Sequence, residues 1–191
     1  MKTTKIKILF VSLAMGLFTF NVAKAQYQTP TKGDYYNKNK INILSGGNNY
    51  KDHMGINLST VHGIHLSERF ASGIGIGLSG GQKYDSTIIP VFLNGTLSLI
   101  ETRKLYLTGD LGYSFATEKG IKGGVIGDVS IGWKFRVGKL AIAPEVGYRY
   151  DGYKVRGLEI VEFDGFYVIR ASNSYVSEHI NSFSTGLSIF F

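Results

Sequence analysis

The last nine residues, Phe183-Ser-Thr185-Gly-Leu187-Ser-Ile189-Phe-Phe191, alternate between two kinds of side chain and stop on an aromatic residue. A period of two marks a strand with two unlike faces. Phe183, Leu187, Ile189 and Phe191 share one face, with Thr185 among them, and Ser182, Ser184, Gly186 and Ser188 share the other. An apolar terminal strand offers a row of unpaired backbone groups unless another strand closes against it, and closure onto the first strand of the same sheet abolishes that edge. In a bilayer, helices and closed barrels are the structures that satisfy every backbone polar group internally. Such an ending points to a closed all-β barrel.

The same alternation runs through most of the chain. Strands are expected near 41–47, 55–66, 70–81, 88–99, 105–116, 124–136, 140–150 and 180–191. Val91, Leu93, Leu97 and Leu99 oppose Asn94, Thr96 and Ser98, and Leu105, Leu107, Leu111, Tyr113 and Phe115 oppose Tyr106, Thr108, Asp110 and Ser114. Val125, Val129, Ile131, Trp133 and Phe135 oppose Asp128, Ser130, Lys134 and Arg136. Leu140, Ile142, Val146, Tyr148 and Tyr150 oppose Ala141, Glu145 and Arg149. Segments of about 10 residues suit a tilted membrane strand. The fold expected is therefore an eight-stranded antiparallel up-and-down transmembrane barrel over residues 41–191. Connections alternate between short (Ser67-Glu68-Arg69, around Glu101 to Lys104, Gly138-Lys139) and long, as short periplasmic turns and long outer loops would. That parity places the loops near 48–54, 82–87, 117–123 and 151–179 outside.

The amino terminus reads as an export signal. Lys2, Lys5 and Lys7 precede a 13-residue apolar stretch, Ile8 to Phe20, and Ala23-Lys24-Ala25 is a small-x-small cleavage site. The stretch is shorter than the roughly 18 residues a spanning helix needs. Cleavage is expected before Gln26, with residues 1–25 removed and 26–40 forming a periplasmic tail. Removal of four lysines lowers the formal charge of +7 to +3, which with export argues against a nucleic-acid partner. Cysteine is absent, so disulfides, thiolate metal sites and lipid attachment through cysteine are excluded.

Aromatic residues cluster toward both ends of the outward face. Phe70, Trp133, Phe135 and Phe191 fall toward the periplasmic rim, and Tyr113, Phe115, Tyr148 and Tyr150 toward the outer rim, as two interfacial girdles would. The stretches Ile89–Gly95, Leu105–Phe115 and Lys122–Phe135 resemble small bacterial outer-membrane β-barrel proteins of the porin-like superfamily, and the size and loop layout are similar to OmpA- and OmpX-type barrels. The resemblance covers roughly residues 41 to 191. It implies residence in the bacterial outer membrane, contact with its lipid and lipopolysaccharide, and handling by the barrel-assembly machinery through the carboxyl-terminal strand. Pro144 departs from the pattern, because it removes a ladder hydrogen bond, and a bulge or distorted pair is expected there.

An eight-stranded barrel is about wide enough for side chains to fill. The inward face carries Asp110, Asp128, Lys134, Arg136, Glu145 and Arg149. A two-residue turn at Gly138-Lys139 would set Asp128 opposite Arg149, and a buried charge cluster is expected around that pair, with Asp110, Lys134 and Glu145. Beyond it, Asp164-Gly165 between two apolar runs is a hairpin signal that would pair Glu159 with Arg170. The same register, continued downward, would pair Val146 with Phe183 and Leu140 with Ile189. Gly157 and Ser172-Asn-Ser174 could instead break the projection in two. An exposed strand edge on this outer hairpin is able to accept a protein partner.

Catalytic signals are weak. His53, His62, His65 and His179 show no spacing that brings a nucleophile, base and orienting group together, and no metal-site spacing with carboxylates. No G-x-S-x-G elbow occurs, and the glycine run from Gly73 to Gly81 lies in a strand rather than ahead of a helix. The two matches to the glycosylation sequon, at Asn57 and Asn94, fall within strands. No cofactor, metal or catalytic residue is expected. Three readings remain: a non-catalytic outer-membrane barrel with at most minor pore activity, a lipid-A-modifying enzyme on the same fold, and a soluble lipocalin-like carrier. The carrier would turn its apolar face inward. The first is preferred.

Overall fold

The computed structural model describes residues 30–46, 53–80, 87–100, 102–118, 120–137, 140–163 and 166–191, with the side chains of 53, 158–163 and 166–173 left aside. The expected signal peptide and cleavage site lie outside the described residues. Ten β segments are present: β1 (Tyr35–Gly46), β2 (His53–His65), β3 (Phe70–Gly80), β4 (Ile88–Ser98), β5 (Leu105–Ala116), β6 (Ile121–Lys122), β7 (Val125–Trp133), β8 (Phe135–Val137), β9 (Leu140–Phe163) and β10 (Phe166–Phe190). They make an eight-stranded antiparallel barrel. β7 and β8 are two stretches of one strand, both paired with β9, and β6 is a short pairing above them. Each strand pairs with the next, and β10 returns to β1 from Lys38↔Phe190 to Gly46↔Ser182. That pairing closes the sheet through the carboxyl-terminal strand.

The faces follow the period of two. Leu93, Leu111, Val129 and Phe183 point outward and are more than half exposed, while Ser182, Ser184 and Ser188 are buried inside. A lipocalin-like carrier requires the opposite arrangement. Inward glycines make room for large neighbours: a Cβ on Gly75 would overlap the Phe92 ring, and one on Gly132 would meet the Tyr106 hydroxyl at 2.5 Å.

Three details differ from the sequence reading. First, β1 begins at Tyr35 rather than 41, so residues 35–40 belong to the barrel and not to a tail. Tyr-Tyr-Asn-Lys-Asn-Lys shows no apolar alternation, because its inward face carries lysines and its outward face asparagines. Second, Pro144 causes no register shift. The same register holds from Ile126↔Asp151 to Gly132↔Glu145 and resumes at Phe135↔Ile142. Between these stretches the ladder is interrupted opposite Pro144, and the Lys134 amide turns to the Lys104 carbonyl at 2.7 Å.

Third, β9 and β10 form one long hairpin with two registers. Arg170 pairs with Glu159 near the tip, but the ladder shifts between Ala171 and Tyr175, opposite Gly157. Below the shift Val146 pairs with Thr185 and Tyr148 with Phe183, not Val146 with Phe183, and Ile142 rather than Leu140 faces Ile189. Ser172-Asn-Ser174 absorbs the extra length. The hairpin rises beyond the last β7 partner, Asp151, by about 40 Å at roughly 3.3 Å per residue. Asp164 and Gly165 at its tip lie outside the described residues. At the opposite end, the Thr31 amide donates to Asp34 at 2.6 Å and holds that carboxyl below its ordinary pKa.

Candidate functional site

The barrel interior is the most concentrated polar site. β1 sends Lys38 and Lys40 inward, β5 sends Asp110, β7 sends Asp128, and β9 sends Glu145, Arg149 and Asp151. Lys38 Nζ stands 2.8 Å from Glu145 Oε1. Lys40 Nζ is shared among Asp128 Oδ1 at 2.9 Å, Glu145 Oε2 at 3.4 Å and Asp110 Oδ2 at 4.0 Å. Glu145 also accepts from the Tyr106 hydroxyl. Asn94 donates to Asp110 at 2.5 Å and to Thr108 at 2.9 Å, extending the network toward β4.

The expected residues are distributed as follows. Asp128 and Arg149 are Cα partners and both are buried. The guanidinium nevertheless goes to Asp151, through Nε at 2.8 Å and Nη2 at 2.8 Å, and Asp128 takes Lys40 and Ser130 instead. Lys134 lies apart at the short-turn end, its ammonium 4.1 Å from the Phe190 ring centre and 4.9 Å from that of Tyr106. Arg136 is exposed on β8. Lys38, Lys40, Tyr106 and Asp151 were not anticipated. A Lys-x-Lys pair in phase with Asn42 and Leu44 was the available signal for the first two.

Three cations (Lys38, Lys40, Arg149) thus face four carboxylates (Asp110, Asp128, Glu145, Asp151) inside the wall, and Lys134 is buried against the Tyr106 and Phe190 rings. Buried ions are tolerated when paired and hydrogen-bonded. Tyr36, Tyr106 and Phe190 pack over the short-turn end, with Tyr106 edge-on to Phe190 at 5.2 Å. The small cavity among Asn57, Ser59, Asp110, Asp128 and Arg149 measures about 10 Å³, near the space of one water. Among the described residues the inner face is packed with buried side chains at this level.

On the outer surface, Phe70, Tyr113, Phe115, Trp133, Phe135, Tyr148 and Tyr150 are exposed and Phe191 is half-buried. Tyr113 meets Phe115 at 5.2 Å, and Tyr148 meets Phe183 at 6.0 Å. The described histidine side chains, His62, His65 and His179, are scattered. His65 packs edge-on to Tyr36, and His179 stacks on Tyr150 at the far end of the barrel. His62 joins an outward polar network with Tyr35, Asn37 and Thr60. Among the described residues no group of three His, Cys, Asp or Glu side chains is placed to hold a metal.

No protein-family model and no curated protein matches this chain. Among solved structures it is similar to Neisserial surface protein A, with a TM-score of 0.51 and 8% identity over 82% of this chain and 95% of that one. It also aligns with the outer membrane protein AlkL, solved in lipid bilayers, at a TM-score of 0.47 and 13% identity over 87% of this chain and 94% of that one. At such identity the first likeness bears on the fold alone, a small antiparallel barrel shared with Neisserial surface protein A.

Proposed function

We propose that this chain is an integral outer-membrane β-barrel protein with no catalytic role, whose filled lumen passes few or no ions and whose projecting hairpin serves contact at the cell surface. One observation carries the reading: the barrel is apolar outside and charged inside. Leu93, Leu111, Ile74 and Val129 stand 65, 66, 64 and 57% exposed on the outer wall, while the lysines and carboxylates are buried within. Water would penalise that outer wall, whereas lipid is its natural solvent. The amino-terminal signal pattern, read as cleaved before Gln26, supports export. The surface-protein name of the Neisserial neighbour agrees with a surface role.

Outer-membrane lipid and lipopolysaccharide are then the solvent of the wall. The barrel-assembly machinery is the proposed partner of β10 during insertion, and a protein is the proposed partner of the hairpin. Fractionation with gel electrophoresis before and after heating tests the reading. Membrane recovery and a heat-shifted band are expected. A soluble protein without a shift would refute it.

A further inference from the structure

The outward face turns from apolar to cationic where the projecting hairpin leaves the barrel. β6 is a two-residue pairing, and one of its two pairs sets Lys122 directly opposite Lys154. Arg156 follows two positions along β9 and so shares the face of Lys154. All three side chains are exposed. Asp151 and Glu178, the acids on this part of the hairpin, belong to the opposite face, that of the buried Tyr153. Among the described residues no carboxylate forms an ion pair with Lys122 or Lys154.

Like charges directly opposite on neighbouring strands destabilise a sheet, because their Cβ atoms are only about 4.5–5.5 Å apart. A pairing as short as β6 has little else to offset that cost. Yet the Lys122 ammonium does not turn away from its neighbours. It reaches across β9 to lie 3.9 Å from the centre of the Tyr175 ring, and Tyr175 is the Cα partner of Arg156. A ring face attracts a cation but carries no net charge. Tyr175 therefore gathers Lys122 into the cluster without cancelling its charge.

The height of the cluster selects an occupant. Below it on the same face Tyr150 stacks on His179, and the Tyr113 hydroxyl donates at 2.9 Å to the carbonyl of Gly123, the residue after Lys122. Tyr113, Tyr150 and the exposed Val125 form the top of the apolar wall there. Lys154 stands four residues beyond Tyr150, about 13 Å along the strand. With a tilt near 45° that is roughly 9 Å of height, the level of polar headgroups above the hydrocarbon. A lipid lying against the wall thus presents its headgroup to the three cations. A phosphate suits them, since one group accepts from several donors and arginine meets it with two parallel N–H bonds.

We propose that Lys122, Lys154 and Arg156 bind a phosphate of lipopolysaccharide, the phosphorylated lipid of the outer leaflet. Its acyl chains lie along the wall below, beside Val125 and Tyr150. Binding relieves the repulsion between the two paired lysines, so lipid and β6 stabilise one another. The inference rests on the reading of the outer wall as lipid-facing.

The test is native mass spectrometry of the full folded chain released from micelles doped with equal amounts of two forms of lipid A, one carrying its phosphates and one stripped of them, with the same acyl chains. The wild-type chain should retain the phosphorylated form by about tenfold. Lys122→Gln with Lys154→Gln should bring the two forms near parity, and Lys122→Arg with Lys154→Arg should keep the preference. Lys104→Gln with Arg136→Gln removes the same charge from exposed positions at the short-turn end and should also keep it. An equal loss in that control would reduce the effect to net charge and overturn the site. Loss of the preference in excess inorganic phosphate at matched ionic strength would mark a site for free phosphate. Displacement of the lipid by a polyglutamate peptide would mark one for an acidic protein segment, and either result overturns the lipid assignment. Equal retention of both lipids by a heat-shifting wild-type chain would overturn the cluster while leaving the membrane reading in place. Absence of the heat shift would bring down the membrane reading, and the cluster with it. Because the preference is first read on the wild-type chain, a double variant that fails to fold does not remove the test.

Discussion

Lys40 Nζ on the first strand lies 2.9 Å from Asp128 Oδ1 on the strand across the lumen, 88 positions later in the chain. Both side chains are nearly fully buried, and the same ammonium also reaches Glu145 and Asp110. Replacing it with an apolar side chain takes the shared cation from Asp128 and Asp110 and leaves Glu145 with Lys38 and the Tyr106 hydroxyl. Lys40→Met should therefore destabilise the barrel by about 3–5 kcal/mol. The midpoint of heat-induced band shift and urea unfolding in detergent both read this. Unchanged midpoints would mean that the acids are satisfied without Lys40.

The lumen should block ions because its short-turn end is packed. Tyr106 is fully buried, lies edge-on to Phe190 and donates to Glu145. The wild-type barrel in a planar bilayer is expected to show almost no conductance. Tyr106→Gly should produce discrete channel events, since it removes a ring from the plug and one donor from Glu145.

Gly75 and Phe92 form a space-sharing pair, with the ring lying where a Cβ on Gly75 would sit. Gly75→Ala should cost about 1–3 kcal/mol by overpacking. Phe92→Leu shortens the obstructing side chain, so the double variant should lose less than the sum of the two single losses. Strict additivity in a double-mutant cycle would show that the two side chains do not compete for the same volume.

The outer wall makes a complementary prediction. Leu111→Arg puts a charge in the middle of the apolar band and should cost about 2–4 kcal/mol in a bilayer. A soluble protein would tolerate the same exposed charge within about 0.5 kcal/mol. Comparing unfolding in lipid vesicles for Leu111→Arg and the exposed short-turn control Arg136→Leu separates the two environments.

Much of this fold was legible because a period of two survives every connection. The outward row of Val91, Leu93, Leu107 and Leu111 could be read directly, and the expected two-residue turn at Gly138-Lys139 led to the pairing of Asp128 with Arg149 that the strands make. Pairing did not determine which charges meet. Arg149 is long enough to choose among carboxylates and takes Asp151, two residues along its own strand. The register change near Ala171 was hidden for a different reason. A slip of two residues returns every side chain to its original face, so alternation carries no trace of it. The first six residues of the first strand, 35–40, were missed because both faces are polar there, the inner one for the lysines and the outer one for the asparagines.

The placement of those lysines has a consequence for the order in which the molecule assembles. Asp110, Asp128 and Glu145 sit on strands of the later half, where Arg149 is already held by Asp151, while Lys38 and Lys40 arrive on β1. Until β1 meets β10, three carboxylates crowd a half-built wall with little to neutralise them. A sheet in which β1 has not met β10 therefore lacks the two cations that these carboxylates use in the closed barrel, and its inner wall is electrostatically unfinished.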